Sequence, residues 1–483
     1  MADNLKQKTT NSFLWNAFDK LGFQIIALII GIITARLLSP KDFGLIGALA
    51  IFTLLSNTLI ESGFSSAMIR RNNNTNAEYS AVFYFNFFVS ILFFVMLFFA
   101  APLIASFFKM PELCNLSRLL FFSTVLNSLG IVQNIILTKK LAFKTLTIAN
   151  IVSILLSGIF TVILIYKDFG YWSLAWQQVL QIGFRSLLLW MLSSWRLTKQ
   201  VNFGVIKELF SFSIFLLSNS IFVAMVKYVY NIIIGRLYTV QDLGYYSQAY
   251  KYQQIPSSII SSTFSGVAYP VLSELNNNAQ RQLIYFRKIM RITAFAIFPV
   301  MIMLFLLAEP LFSIVLTDKW LSAVPYFQIL IIAGIVVPFH TLNLTIITVK
   351  GFPKRMLLLE VIRNVLIILS VIICYQSITF MLYGFLVASV LSYLTDLFFV
   401  RKVIRYNIKE QLKDILPYGI ISLAMGAVMY YIPDFNCKLY WDVIIRLVAG
   451  GFFYFITLYL SGSKVMRDMI KLFPDSFLPY KLD

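Results

Sequence analysis

Fourteen long apolar stretches, separated by short polar loops, fill almost the whole of this 483-residue chain. The hydrocarbon core of a bilayer is about 30 Å thick, which takes roughly 20 apolar helical residues at about 1.5 Å each. The stretches lie near 12–35, 43–68, 80–107, 115–136, 145–166, 171–193 and 207–235, then near 243–270, 288–316, 323–348, 355–375, 378–400, 415–432 and 440–461. They predict an all-α, polytopic membrane protein with 14 transmembrane helices. The first ten residues are polar and the apolar run after them is too long for a signal-peptide core, so no cleaved leader is expected.

Composition agrees: 59% of residues are hydrophobic and 13% charged, where a soluble domain carries about a quarter charged residues. Lys and Arg outnumber Asp and Glu by 40 to 21, a net charge of +19. Such a balance often signals nucleic acid. Here the cations sit in short clusters between apolar runs, so membrane lipid and an anionic substrate are the expected partners, and no nucleic acid is. Cys114, Cys374 and Cys437 show no CxxC spacing; free thiols and an outer Cys114–Cys437 disulfide are the two alternatives. With one histidine and no paired ligands, neither a metal site nor a cofactor is expected. Secreted, cytosolic and DNA-binding classes are excluded.

The loops give the orientation. With the N-terminus inside, 26 of the 40 basic residues fall on cytoplasmic loops and tails and 8 on the opposite side. Basic loops stay cytoplasmic, so both termini are expected there. The basic tail 464–483 would then meet anionic lipid.

The chain also repeats itself at an offset of 200 residues. ARLLSPKDFG (35–44) lies over GRLYTVQDLG (235–244), matching Arg36 with Arg236, Asp42 with Asp242 and Gly44 with Gly244. Asp at the start of the second helix can cap it, and Gly can take the dihedrals of the turn. Spans 1 and 7 are six helices apart, so the repeats run parallel. The expected organisation is a first lobe of six helices (1–200), a second of six (201–400), and two C-terminal helices with the basic tail (401–483). Parallel repeats of this kind build transporters with a site near mid-membrane.

ARLLSPKDFGLIGALAIF (35–52), ESGFSSAMIRR (61–71) with Asn86 beyond it, YPVLSEL (269–275) and LTDKWLSA (316–323) resemble the polysaccharide branch of the multidrug/oligosaccharidyl-lipid/polysaccharide exporter superfamily. That is the Wzx-type group of O-antigen, colanic-acid and teichuronic-acid flippases. The resemblance covers most of residues 10–400 and is weakest over the last two spans. It implies a non-enzymatic transporter of the bacterial inner membrane. Such a protein flips a polyprenyl-pyrophosphate-linked oligosaccharide outward by alternating access, alongside a polymerase and glycosyltransferases. Its motifs are architectural and name no substrate-binding residue.

Binding residues must therefore come from the polar side chains within the spans. Six cations fall there: Lys20, Arg185, Lys227, Lys251, Arg363 and Arg446. A charge at the bilayer centre costs roughly 2.5–3.5 kcal/mol on insertion scales, so it faces a cavity or a partner. Lys20, Arg185, Lys227, Lys251 and Arg363 are the candidates for a cationic cavity that takes pyrophosphate or acidic sugars. Asn57, Tyr230, Asn231, Gln248 and Gln254 would line it. Structural pairing is the alternative reading: Asp19 beside Lys20, Glu360 one turn from Arg363, Asp442 one turn from Arg446. Asp19 and Glu61 have no acidic counterpart in the second repeat, which holds Asn219 and Ser261 there. They are either packing contacts or sites for a coupling H⁺ or Na⁺. His340 is expected to be hydrogen-bonded between helices, and Asp396 and Glu309 to sit at membrane interfaces. No Walker A motif occurs. A cation-coupled multidrug antiporter of the same superfamily is the main rival, set back by the in-span cations. A membrane glycosyltransferase or polymerase would need a large catalytic loop, which this chain lacks.

Overall fold

The computed structural model describes residues 2–61, 64–71, 73–433 and 438–470, and among them there is no strand. Helices follow one another as α1 (Ala2–Leu37), α2 (Pro40–Glu61), α3 (Phe64–Arg70), α4 (Asn76–Phe108), α5 (Leu113–Lys139), α6 (Phe143–Tyr166) and α7 (Tyr171–Leu192). Then come α8 (Gly204–Lys227), α9 (Val229–Leu237), α10 (Val240–Glu274), α11 (Ala279–Leu306), α12 (Ala308–Leu316), α13 (Val324–Gly334) and α14 (Val337–Val349). The chain finishes with α15 (Pro353–Cys374), α16 (Ile378–Ile404), α17 (Ile408–Tyr431), α18 (Leu439–Leu460) and α19 (Lys464–Ile470). Among the described residues each expected span falls on one helix or on two in succession, as 288–316 on α11 and α12 and 323–348 on α13 and α14. Among the described residues ten helices are long and apolar enough to cross a membrane, or eleven if the pair α8–α9, bent by 41° at Tyr228, counts as one.

Local chemistry sets the ends. Thr75 and Glu78 form a capping box that opens α4: Thr75 Oγ1 accepts from the Glu78 amide, and the Glu78 carboxylate accepts from the Thr75 amide. Asn407 and Glu410 do the same for α17. Gly170, at φ 52°, makes the turn from α6 into α7.

The packing is that of a membrane protein. One face of α4 carries Phe88, Leu92, Phe99 and Leu103, all strongly exposed, while Asn86, Ser90 and Ala101 are fully buried. Ser90 Oγ donates to Ser128 Oγ of α5 at 3.0 Å. Small and weakly polar residues let helices approach closely where lipid offers no competing hydrophobic drive.

Compact packing divides the chain at Ser247–Gln248. In the first unit α5 packs on α4 and α7, and α6 on α1 and α7. A buried hydrophobic cluster includes Phe64, Met68, Tyr79, Phe83 and Trp195. In the second unit α15 packs on α16, and α11 on α17. There Asp414 accepts from Arg287 Nε at 2.7 Å, Arg291 at 3.2 Å and the Tyr406 hydroxyl at 2.6 Å, tying α17 to α11.

The repeated turn departs from expectation in one respect. Asp42 and Asp242 do cap, as the third residues of matching boxes: Ser39 Oγ and Thr239 Oγ1 each donate to the Asp carboxylate at 2.6 Å. The glycines, however, lie inside α2 and α10 with no unusual dihedral. Their role is close approach. A Cβ on Gly44 would stand 1.9 Å from the Val240 carbonyl oxygen, and one on Gly244 would stand 1.9 Å from that of Pro40. The two turns thus pack backbone to backbone, each repeat's glycine facing the other's carbonyl at positions matched by the 200-residue offset. Cys114 and Cys374 are free thiols, and Cys437 lies outside the described residues.

Candidate functional site

Arg185 lies in α7, which the packing of α5 and α6 holds in place. Its Nε donates to Asn150 Oδ1 at 2.7 Å and its Nη2 to Asn134 Oδ1 at 3.1 Å. Asn150 Nδ2 in turn donates to both carboxylate oxygens of Asp19, at 3.1 and 3.0 Å. Four helices, α1, α5, α6 and α7, thereby bring a cation and an anion together through one neutral amide. Asp19, read from the sequence as paired with Lys20 or holding an ion, is bonded to Asn150. The side chains of Lys20 and Glu61 lie outside the described set. One helix over, Asn127 Nδ2 of α5 donates to Asn57 Oδ1 of α2 at 3.2 Å.

Tyr230 and Asn231, named from the sequence as cavity lining, are buried where α9 meets α2 and α10. The Asn231 amide donates to the Gly47 carbonyl at 3.1 Å and to Ser247 Oγ at 3.3 Å. The Tyr230 ring stacks on Tyr246 with centroids 6.0 Å apart. Both side chains are buried in contacts between α9, α2 and α10.

Lys227 ends α8 at the bend into α9; it is exposed, with its Nζ 5.7 Å from the Tyr228 ring centroid. In the second unit, Lys251 of α10 is likewise exposed and 5.9 Å from the Tyr252 ring. A neighbouring aromatic face stabilises an ammonium by about 0.5–1 kcal/mol at accessible positions. On the same helix Gln248 is buried, and neither end of its amide has a hydrogen-bond partner among the described residues. Gln254 donates to Gln253 at 3.3 Å, Gln253 to Ser257 at 2.7 Å, and Ser257 to the Gly334 carbonyl at 3.3 Å. Gln254 is therefore linked to α13 through Gln253 and Ser257, which the sequence did not single out.

A further charged group lies across α14, α15 and α16. His340 Nδ1 is 2.6 Å from Asp396 Oδ2, and its Nε2 is 3.6 Å from Glu360 Oε1. Arg363, half-buried, is one turn from Glu360 and interacts electrostatically with Glu360, His340 and Asp396. Asp396, expected near a span end, is fully buried, and the imidazole of His340 meets it there. Arg446 is paired with Asp442 at 2.7 Å, the structural alternative.

The asparagines escaped the sequence reading. Asn127 and Asn134 stand seven residues apart on α5, two turns along one face, with Asn150 on the neighbouring α6. That spacing was the available signal, masked by the attention that charged residues draw.

Similarity to known proteins fits this geometry. The teichuronic acid biosynthesis protein TuaB of Bacillus subtilis is 25% identical over 467 residues, covering 95% of this chain and 96% of that protein. The solved structure of the lipid II flippase MurJ in an inward closed conformation has a TM-score of 0.75 at 16% identity, covering 95% of this chain and all of that one. An inward-facing multidrug resistance MATE family transporter of the MOP superfamily has a TM-score of 0.62 at 15% identity, covering 79% and 96%. The resemblance drawn from residues 35–52, 61–71, 269–275 and 316–323 thus holds for fold and family. The model of the family described as "Polysaccharide biosynthesis protein" matches residues 33–325, more than half the chain, and this chain belongs to that family.

Proposed function

We propose that this chain flips a polyprenyl-pyrophosphate-linked oligosaccharide from the cytoplasmic to the outer leaflet of a bacterial inner membrane, by alternating access, with both termini cytoplasmic. The observation that carries the reading is Lys227, a cation left exposed at the break between two apolar helices. The energetic penalty for a charge at such depth is offset only where water or an anion reaches it. Arg185 adds a second cation held in a fixed orientation by amides. Lys20, Lys251 and Arg363 are the further proposed contacts for pyrophosphate, whose desolvation in hydrocarbon is the barrier to unassisted flipping. Asp19 and Glu61 are the proposed sites for a coupling H⁺ or Na⁺. An inside-negative potential already favours outward movement of anions by about 2.3 kcal/mol per charge per 100 mV. The names of the similar proteins, a teichuronic acid biosynthesis protein and a lipid II flippase, support a lipid-linked glycan as cargo.

The test is reconstitution in liposomes carrying the host's lipid-linked oligosaccharide, with leaflet exposure read by a membrane-impermeant glycosidase. Protein-dependent exposure of the protected pool is expected. No exposure, together with efflux of a cationic dye from the same liposomes, would overturn the reading in favour of the antiporter that the likeness to a multidrug transporter allows.

A further inference from the structure

The first unit holds a cavity of about 790 Å³ at the helix ends that carry its basic loops. This volume lies within the ~300–1,000 Å³ range of small-ligand sites. Its walls come from the segment before α4, the end of α5 and the segment after α7. None of the lining side chains is acidic. The nearest carboxylate in the sequence, Glu78, is bonded to the Thr75 amide and paired with Arg71 at 3.2 Å.

Three kinds of group meet there. Asn73 and Asn76 are exposed, and their amides have no hydrogen-bond partner among the described residues; Asn74 donates to the Met68 carbonyl and Tyr79 hydroxyl, while its buried Oδ1 has no partner. Tyr79 and Trp195 supply rings set edge to face, 6.5 Å between centroids. Trp195 is 7% exposed, and its indole Nε1 finds no acceptor among the described residues. Lys140 is exposed, and Arg196 uses Nη1 on the Ser193 and Trp195 carbonyls, which leaves its other nitrogens available. Lys139 is already committed to the Arg71 carbonyl.

Amides recognise hydroxyl groups through paired donor and acceptor, aromatic rings cover apolar sugar faces, and Lys and Arg take phosphate. We propose that this cavity is a receiving site for a glycosyl pyrophosphate head group, separate from the cations within the spans. The inference rests on the transport reading above and adds a docking step before entry. The same chemistry occurs in nucleoside-diphosphate sugars. The lipid-linked form is favoured because the cavity sits at the ends of helices α4 and α5, both long and apolar enough to cross a membrane.

The test uses the full chain in lipid nanodiscs and calorimetric titration with three probes: the host's repeat-unit oligosaccharide 1-pyrophosphate lacking its lipid, inorganic pyrophosphate, and UDP-N-acetylglucosamine. The wild type should bind the first most tightly. The triple variant Asn73→Ala, Asn76→Ala, Lys140→Ala removes exposed side chains only. It should weaken that binding by about tenfold and raise the half-saturating concentration for liposome flipping by a similar factor. Wild-type affinity in the triple variant, in a protein that flips the lipid-linked donor, overturns the docking site and leaves the transport reading standing. Equal or tighter binding of UDP-N-acetylglucosamine overturns the lipid-linked assignment. A wild type that moves no lipid-linked donor at all overturns the transport reading and this inference with it.

Discussion

Asp19 and Arg185 share Asn150 as their mediator, which donates to the carboxylate and accepts from the guanidinium at 2.7 Å. A neutral amide between two charges keeps both oriented without bringing them into direct contact. All three side chains are half-buried, where such a bridge counts for more than at a fully exposed surface, and its loss takes one hydrogen-bond partner from each charge.

Replacing Asn150 with Ala should therefore lower flipping by about tenfold, equivalent to about 1.4 kcal/mol. Arg185→Lys keeps the charge but cannot meet Asn150 and Asn134 together, and should show a comparable loss. Liposome flipping at matched protein levels measures both. Full activity in Arg185→Lys would remove the orienting role of the two asparagines.

Gly44→Ala and Gly244→Ala each drive a methyl group against a carbonyl oxygen that stands 1.9 Å away. Backbone cannot yield as a side-chain tip can, so each should cost about 1–3 kcal/mol or more. Gly266→Ala has nothing within 4 Å of the new atom and is the control. Thermal melting in detergent should fall for the first two and hold or rise for the third.

His340→Leu leaves the buried carboxylate of Asp396 without its 2.6 Å partner. Breaking one side of a buried pair costs about 3–5 kcal/mol, whereas replacing both with apolar residues is often neutral. The double variant His340→Leu, Asp396→Leu should accordingly recover much of the melting temperature lost in the single one. A double variant less stable than His340→Leu alone would mean that Asp396 is held by something other than the histidine.

Lys227→Ala removes an exposed side chain at the α8–α9 bend and should leave the melting temperature unchanged. Flipping, and with it the surface polymer made by a complemented deletion strain, should drop severalfold. Unchanged polymer would remove Lys227 from the site.

The helical spans were legible because apolar runs of that length have few other uses, and the repeated turn because Arg36, Asp42 and Gly44 recur at a fixed offset. The reason for that glycine was not. Its dihedrals are ordinary, and the constraint comes from a chain segment 200 residues away. Arg185 stood out as a charge in an apolar helix, yet Asn150 and Asn134 did not, since partners from α6 and α5 appear only once those helices pack. Asp396 looked interfacial by its distance from the helix end. Its burial follows from where α14 presents His340.

The reciprocal seating of Gly44 and Gly244 also bears on how the two copies could diverge. At this turn each copy is the other's surroundings, so a bulkier residue in one needs a compensating shift in its twin. The turn keeps the duplication readable because here the matched residues of the two copies pack directly on one another.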